Sequence, residues 1–129
     1  MANENVLVVD DNATNLKLAR VLLMAEGYIV RTASDARQAL AMLEGFRPRI
    51  ILMDIQLPGM DGLTLTRRLK ADATTSDILI VAMTAYAMKG DEQRALEAGC
   101  DGYLAKPIDT RALPGFLARR LRGEGVEQK

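Results

Sequence analysis

A short apolar run that ends in a single carboxylate sets the strongest limit on the fold of this chain. Ile50 to Met53 are all apolar, Asp54 follows them directly, and Pro58-Gly59 stops any regular element soon afterwards. An uninterrupted apolar run of this length is typical of a strand that is buried on both faces of a parallel sheet. The pattern therefore places Asp54 at the carboxyl end of a central strand, where open α/β folds bind their ligands.

Four further apolar runs alternate with helical patterns along the chain. The predicted strands, besides the one ending at Asp54, are Asn5–Val9, Tyr28–Thr32, Ile78–Thr84 and Gly102–Ala105. Since crossovers between parallel strands are right-handed, this alternation predicts a (βα)5 α/β fold, in which helices cover both faces of a five-stranded parallel sheet. We expect one domain over residues 1–129, with a core at about 5–122 and a polar tail at 123–129.

Capping residues predict where the helices begin and end. Helices are expected from the Asn12 region to about Glu26, from Asp35 to Gly45, after Asp61, from Asp91 to Gly99, and from near Asp109 to Arg122. Asp35 with Gln38 three residues later resembles a capping box. Pro114 falls inside the last helix, where a proline clashes with the preceding turn, so we expect a kink or a delayed start there.

Composition excludes several classes of function. The 129 residues carry 17 Lys and Arg against 17 Asp and Glu, so the net charge gives no sign of nucleic-acid binding. No apolar run approaches the roughly 20 residues that span a bilayer, and no secretory signal is visible, so no membrane insertion is expected. The absence of histidine excludes His-based catalysis and His-ligated zinc. Cys100 is the only cysteine, which favours a reducing, cytoplasmic location.

Four of the five predicted strands end in a chemically useful residue. The first is followed by Asp10 and Asp11, and the others end at Asp54, Thr84 and Lys106. The carboxyl ends of parallel strands meet at one edge of the sheet, and neighbouring ends lie about 5 Å apart. Three carboxylates, one hydroxyl and one ammonium are therefore expected to share a pocket.

Such a pocket needs a cation in addition to Lys106. Two carboxylates about 4 Å apart repel by roughly 4 kcal/mol at an effective dielectric constant of 20. Because all the candidate ligands are oxygens, Mg²⁺ is favoured over Zn²⁺. The pocket is suited to bringing a phosphoryl group to Asp54 as a nucleophile, with Thr84 donating a hydrogen bond and Lys106 pairing with the charge.

Each of these residues also has an ordinary structural explanation. Asp10 and Asp11 could cap a helix, Asp54 could be a turn acid, Thr84 could be a strand residue, and Lys106 could lie on the surface. These explanations together require four coincidences at one edge of the sheet. A functional pocket is the better interpretation.

At five dispersed motif positions, which fall in four segments, the chain resembles the receiver domain of two-component response regulators, the CheY-like family. The matching segments are Val9-Asp10-Asp11-Asn12, the run from Leu52 to Gly62, Ala82-Met83-Thr84-Ala85 and Lys106-Pro107. The resemblance covers roughly Asn5 to Arg122. Residues 11–15 and 84–92 further resemble the single-domain cell-cycle regulators of that family.

The resemblance implies a flavodoxin-like doubly wound sheet with strand order 2-1-3-4-5. It also implies that Asp54 accepts a phosphoryl group from the phosphohistidine of a histidine kinase or a histidine phosphotransfer protein. Asp11 would bind Mg²⁺ directly, Asp10 would act through a water molecule or from behind the direct ligands, and the Gln56 backbone carbonyl would complete the protein ligands.

The remaining implied roles concern the response to phosphorylation. Lys106 would contact the phosphoryl group, Thr84 would move toward it, and Tyr103 would repack inward. Lys106-Pro107 is a candidate for a cis peptide bond.

The leading hypothesis is a stand-alone phosphorylation switch that signals through a downstream protein and is not an enzyme beyond its own phosphotransfer and dephosphorylation. The main alternative is a receiver-fold binding module that acts without phosphorylation. A haloacid-dehalogenase-like phosphohydrolase would need a second aspartate where Gln56 stands. A nucleotide-binding protein would need a glycine-rich phosphate motif, which the sequence lacks.

Overall fold

In a computed structural model that describes residues 4–84, 90–106 and 111–122, strands and helices alternate along the chain. The strands are β1 (Asn5–Val9), β2 (Ile29–Ala33), β3 (Ile50–Asp54), β4 (Leu79–Thr84) and β5 (Gly102–Ala105). The helices are α1 (Ala13–Ala25), α2 (Ala36–Met42), α3 (Gly62–Ala71), α4 (Asp91–Glu97) and α5 (Leu113–Leu121). The strands pair in parallel in the order β2-β1-β3-β4-β5, which confirms the predicted fold and strand order.

Alternate side chains of the central strands enter two separate apolar layers. On one face, Leu7 and Met53 pack with residues of α2, α3 and α4. On the other face, Val8 and Leu52 pack with residues of α1 and α5. Every residue of β3 is buried, as its continuous apolar run predicts. The helices therefore cover both faces of the sheet and leave the strand ends at its edges.

The predicted capping residues are confirmed at α2. The Gln38 backbone amide donates to Asp35 Oδ1 at 2.8 Å, as the capping prediction requires. The Gln38 side chain accepts from the backbone amide of Ser34, one residue before the N-cap, at 2.9 Å, so the arrangement differs from a capping box in its second bond. The prediction was wrong by one residue at α4, where Gly90 is the N-cap and Asp91 is the first helical residue. Gly90 has φ +96°, a left-handed conformation that glycine adopts without strain, and the Asp91 carboxylate pairs with Arg94 instead of capping the helix.

Helix α5 begins at Leu113, later than Asp109, and so shows the delayed start expected from its proline. Pro114 lies in the first turn, where the missing N–H needs no partner within the helix. Several predictions fall outside the described residues: the 85–89 part of the loop before α4, the Lys106-Pro107 bond, the conformation at Asp109, and the tail at 123–129. Among the helices that the structure describes, none is long and apolar enough to span a bilayer.

Candidate active site

The acidic pocket forms at the carboxyl edge of the sheet, where β3 lies between β1 and β4. Asp54 is the last residue of β3 and pairs in register with Met83 of β4. Asp10 directly follows β1, and Lys106 directly follows β5. Thr84 ends β4, is buried, and its carbonyl accepts the Lys106 amide at 2.7 Å. Sheet order therefore brings residues from four separate segments to one rim.

Three carboxylates and one ammonium lie close together at this rim. One carboxylate oxygen from each of Asp10, Asp11 and Asp54 lies within 4.8 Å of the other two. Lys106 Nζ lies 2.8 Å from Asp10 Oδ2 and 3.0 Å from Asp54 Oδ2. Asp10 and Asp54 are buried, whereas Asp11 is exposed. Among the residues that the structure describes here, three negative charges against one positive charge leave two uncompensated.

Two asparagines hold the Asp10 carboxylate in place. The Asn12 amide donates to Asp10 Oδ1 at 2.9 Å, and Asn15 Nδ2 donates to Asp10 Oδ2 at 3.3 Å. With Lys106 also donating to Oδ2, both oxygens of Asp10 are engaged. The capping pattern predicted the start of α1 near Asn12 and assigned neither asparagine a role at the acidic pocket. Asn12 bonds Asp10 through its backbone N–H, which any residue but proline could supply, whereas the missed signal for Asn15 was its place in the first turn of α1, from where its side chain can turn back toward the strand end.

Burial and charge act in opposite directions on Asp54 and Lys106. Burial raises the pKa of Asp54, the Gln56 amide and Lys106 lower it, and the Asp10 charge raises it again, with a net increase above the ordinary value. Burial alone would lower the pKa of Lys106, but its hydrogen bonds to Asp10 and Asp54 and their charges raise it overall. Lys106 therefore stays charged beside a carboxylate whose ionised form is incompletely stabilised, a combination that is common at functional sites.

The backbone around Asp54 is tightly constrained. The Gln56 amide donates to Asp54 Oδ1 at 3.0 Å, while the Gln56 side chain is exposed. The Gly62 amide donates to the Ile55 carbonyl at 3.1 Å, and a Cβ at Gly62 would lie only 2.2 Å from the Asp54 carbonyl oxygen. Helix α3 thus begins directly against the backbone of Asp54. The metal-ligand role predicted for the Gln56 carbonyl stays a prediction.

Tyr103 lies away from the acidic cluster, on the α4 side of β5. Its ring is half-buried and packs against the apolar layer beneath α2, α3 and α4. Burial raises the pKa of the Tyr103 hydroxyl, and the acids Asp91 and Glu92 at the start of α4 raise it further. The structure therefore places Tyr103 between β5 and α4.

The cluster suits a hard divalent cation. Every carboxylate ligand atom in it is an oxygen, two negative charges remain uncompensated, and the exposed Asp11 gives access from solvent. Mg²⁺ prefers this donor set and keeps positions for water and phosphate oxygens.

Comparison with known proteins agrees with this geometry. The sequence profile of the response regulator receiver domain matches residues 6–117. The chain belongs to the response regulator receiver family. Over 114 residues it is 43% identical to the polar-differentiation response regulator DivK of Brucella anthropi, which covers 88% of this chain and 90% of that protein. The predicted resemblance to a stand-alone regulator of this family is thereby confirmed.

Solved receiver structures superpose closely on this fold. A CheY-like receiver domain from Methanospirillum hungatei JF-1 is 29% identical, with a TM-score of 0.86 over 98% of this chain and 99% of that one. The receiver domain of a sensor histidine kinase from Pseudomonas aeruginosa PAO1 is 36% identical, with a TM-score of 0.84 over 94% of this chain and 99% of that one. That structure has a magnesium ion coordinated in the active site cleft.

Proposed function

We propose that this receiver is a phosphorylation switch in which Asp54 accepts a phosphoryl group from the phosphohistidine of a histidine kinase or a histidine phosphotransfer protein. The observation that carries the proposal is the position of the Lys106 ammonium, 3.0 Å from Asp54 Oδ2 within a cluster of three carboxylates. A buried carboxylate with a paired lysine and two further acids exceeds what a turn or a helix cap requires. The phosphorylated protein signals through contact with a downstream protein.

In the proposed reaction, a carboxylate oxygen of Asp54 attacks the phosphorus atom of the phosphoimidazole. A new oxygen–phosphorus bond forms, the phosphorus–nitrogen bond breaks, and its electron pair returns to the imidazole nitrogen. The ammonium of Lys106 lies where it can pair with the charge of the incoming phosphoryl group. Thr84, at the end of the neighbouring strand, is the proposed donor to a phosphoryl oxygen.

Asp11, Asp54 and the Gln56 backbone carbonyl would hold Mg²⁺ directly. Asp10 would act through a bound water or by positioning its neighbours rather than by binding the ion itself. Its hydrogen bonds to Asn12, Asn15 and Lys106 support this role because they engage both of its oxygens. When bound, the ion neutralises charge on the carboxylates and on the phosphoryl oxygens. The magnesium ion in the related Pseudomonas receiver supports the same assignment here.

Signalling would follow from a shift between two conformations. A phosphoryl group adds about −1.5 to −2 charge and strong acceptor oxygens to the rim. Thr84 responds first, and Tyr103, half-buried beside α4, repacks with it. The protein acts in the cytoplasm and is not an enzyme in the usual sense, because it promotes only its own phosphotransfer and dephosphorylation.

The test is intact-mass measurement after incubation with acetyl phosphate and Mg²⁺. We expect the mass to increase by one phosphoryl group, with no increase in Asp54→Asn or in the presence of EDTA. Asp77→Asn, which changes an exposed loop acid, is the matched control and should be phosphorylated normally.

Two outcomes would contradict the proposal. An unchanged mass in the parent protein would favour a binding module that acts without phosphorylation. Continuous release of phosphate from a range of monoesters would instead favour an aspartyl phosphohydrolase.

A further inference from the structure

A second cavity lies at the amino edge of the sheet, opposite the acidic cluster. It opens between α5 and the C-cap of α1, beside the residues that precede β1 and β2, and has a volume of about 530 Å³. Cavities of about 300 to 1,000 Å³ are typical of small-molecule sites. It shares no lining residue with the acidic cluster, so it needs an explanation of its own.

Tyr28 is the central polar group of this cavity. Its residue surface is only 8% exposed, yet its hydroxyl makes no hydrogen bond within the described parts of the chain. No fully enclosed side-chain oxygen or nitrogen in those parts lacks a partner. The unpartnered Tyr28 oxygen is therefore open to the cavity that its side chain lines. The hydroxyl of a tyrosine whose ring is buried usually has a hydrogen-bond partner, and at this position water or a ligand in the cavity can provide it.

The charge around Tyr28 favours a cation. Helix α1 ends at Ala25 with Glu26 as its C-cap and has no basic residue in its last turn. The carbonyl end of a helix carries partial negative charge, which the Glu26 carboxylate increases. Glu26 makes no ion pair within residues 4–84, 90–106 and 111–122. The other lining carboxylate, Glu4, is already bound by Arg49 at 3.0 and 3.2 Å.

The titration of Tyr28 agrees with a negative local potential. Burial raises the pKa of its hydroxyl first, and the charges of Glu4 and Glu26 raise it further. Arg122, which also lines the cavity, lowers it by less than either acid raises it. A cation entering beside the hydroxyl is therefore favoured over an anion.

The opposite wall of the cavity is apolar. It is formed by Pro114, Ala118 and Leu121, which are spaced four and three residues apart and so share one face of α5. A ligand that fits this cavity combines one positive charge with an apolar body.

We propose that the cavity between α1 and α5 binds a small organic cation: a primary ammonium on an apolar group. The ammonium donates hydrogen bonds to the Tyr28 hydroxyl oxygen and the Glu26 carboxylate, and the apolar group packs on Ala118 and Leu121. This proposal does not depend on phosphorylation of Asp54. It assigns the molecule a second ligand site at the far edge of its sheet.

The probe is benzylammonium chloride, titrated into ¹⁵N-labelled protein and followed by amide chemical shifts. We expect saturable shifts at Glu26, Tyr28, Ala118 and Leu121. The neutral analogue benzyl alcohol and the anion benzoate should bind at least about 10-fold more weakly, because a charge-assisted hydrogen bond is lost.

Three variants test the assignment of contacts. Tyr28→Phe keeps the ring and should weaken benzylammonium binding about 10-fold. Glu26→Gln should weaken it about 3-fold, whereas Glu44→Gln, which changes an exposed acid elsewhere, should leave it unchanged. Ala118→Leu should weaken binding because it takes up space on the wall where the apolar group packs, while Tyr28 remains. The dispersion of the amide spectrum reports whether each variant is folded.

The proposal is overturned if benzyl alcohol or benzoate binds as tightly as benzylammonium, or if Tyr28→Phe binds it unchanged. Shifts that never saturate, or that centre on Asp10 and Asp54, would overturn it as well. A lysine side chain of a partner protein has similar chemistry. The probe for it is Nα-acetyl-lysine amide, which keeps a free ε-ammonium. If this probe binds more tightly than benzylammonium, the cavity is assigned to such a partner and the small-molecule proposal is overturned.

Discussion

Replacing the phospho-acceptor by its neutral isostere should stabilise the protein when divalent cations are removed. Asp54 is buried among acids, and within residues 4–84, 90–106 and 111–122 its one cationic neighbour is Lys106. Lys106 keeps its contact with Asp10, at 2.8 Å, when Asp54 loses its charge. Asp54→Asn therefore removes a repelled charge without leaving the lysine unpaired.

The size of the effect follows from the distances. At an effective dielectric constant of about 20, a charge pair at 4.8 Å interacts by about 3.5 kcal/mol and one at 3.0 Å by about 5.5 kcal/mol. The substitution Asp54→Asn removes one attraction, to Lys106. It also removes the repulsion from Asp10 and the weaker repulsion from the exposed Asp11. It further removes the desolvation cost of a buried carboxylate charge. We expect the free energy of unfolding to rise by about 1 kcal/mol at pH 7.

The pH dependence has a defined sign. Burial raises the pKa of Asp54 above its ordinary value of 3.8, so the folded state holds the proton more tightly than the unfolded state. Protonated Asp54 therefore contributes to the free energy of unfolding at low pH. The parent protein loses this contribution as the pH rises through the raised pKa, and none of it remains above that pKa. The advantage of Asp54→Asn should shrink as the pH is lowered from 7 toward 3.8.

The assay is urea unfolding in EDTA and again with excess Mg²⁺. The ion should stabilise the parent protein more than Asp54→Asn, by up to about 2.7 kcal/mol at 100 times the dissociation constant. Asp77→Asn, an exposed acid, should stay within about 0.5 kcal/mol of the parent. If Asp54→Asn unfolds at lower urea than the parent in EDTA, the attraction to Lys106 dominates and the reasoning is wrong.

Two further predictions concern packing and reactivity. Gly62→Ala should destabilise the protein by about 3 kcal/mol in urea unfolding, because the new Cβ would lie 2.2 Å from the Asp54 carbonyl oxygen. The control is Gly45→Ala, whose new Cβ would meet nothing within 4 Å, and it should change stability by less than about 1 kcal/mol. Equal effects of the two substitutions would contradict the close approach. Cys100 is buried, which raises the pKa of its thiol above the ordinary 9.0, so a disulfide reagent at pH 8 should label it slowly in the folded protein and fast in denaturant. Fast labelling of the folded protein would show that the thiol is accessible.

The acidic rim was predictable because a parallel sheet directs all its carboxyl ends to one edge. Once the apolar runs before Asp10, Asp54 and Lys106 are read as strands, these residues must approach each other. The prediction failed at Asp91 because a capping aspartate and a first-turn aspartate have the same sequence pattern. The deciding feature is the backbone at Gly90, whose left-handed conformation takes the N-cap position and moves Asp91 into the first turn of α4.

The cavity around Tyr28 could not be predicted in the same way. Its walls come from the residues that precede β1 and β2, from the C-cap of α1 and from α5, so its volume depends on how α5 packs against these distant segments. Sequence spacing gives the apolar face of each helix but not the distance between two helices. Likewise, the roles of Asn12 and Asn15 depend on the direction in which α1 leaves the strand end.

The central position of β3 determines which parts of the molecule can respond to a modified Asp54. Strands β1 and β4 hold the backbone of β3 from both sides. Beyond its end, the Ile55 amide donates to the Met83 carbonyl at 3.0 Å, and α3 contacts the Asp54 backbone at Gly62. A displacement of Asp54 itself would break several of these bonds at once. The backbone of Asp54 therefore stays in place, and any conformational change after its modification must arise in the side chains and connecting segments around it.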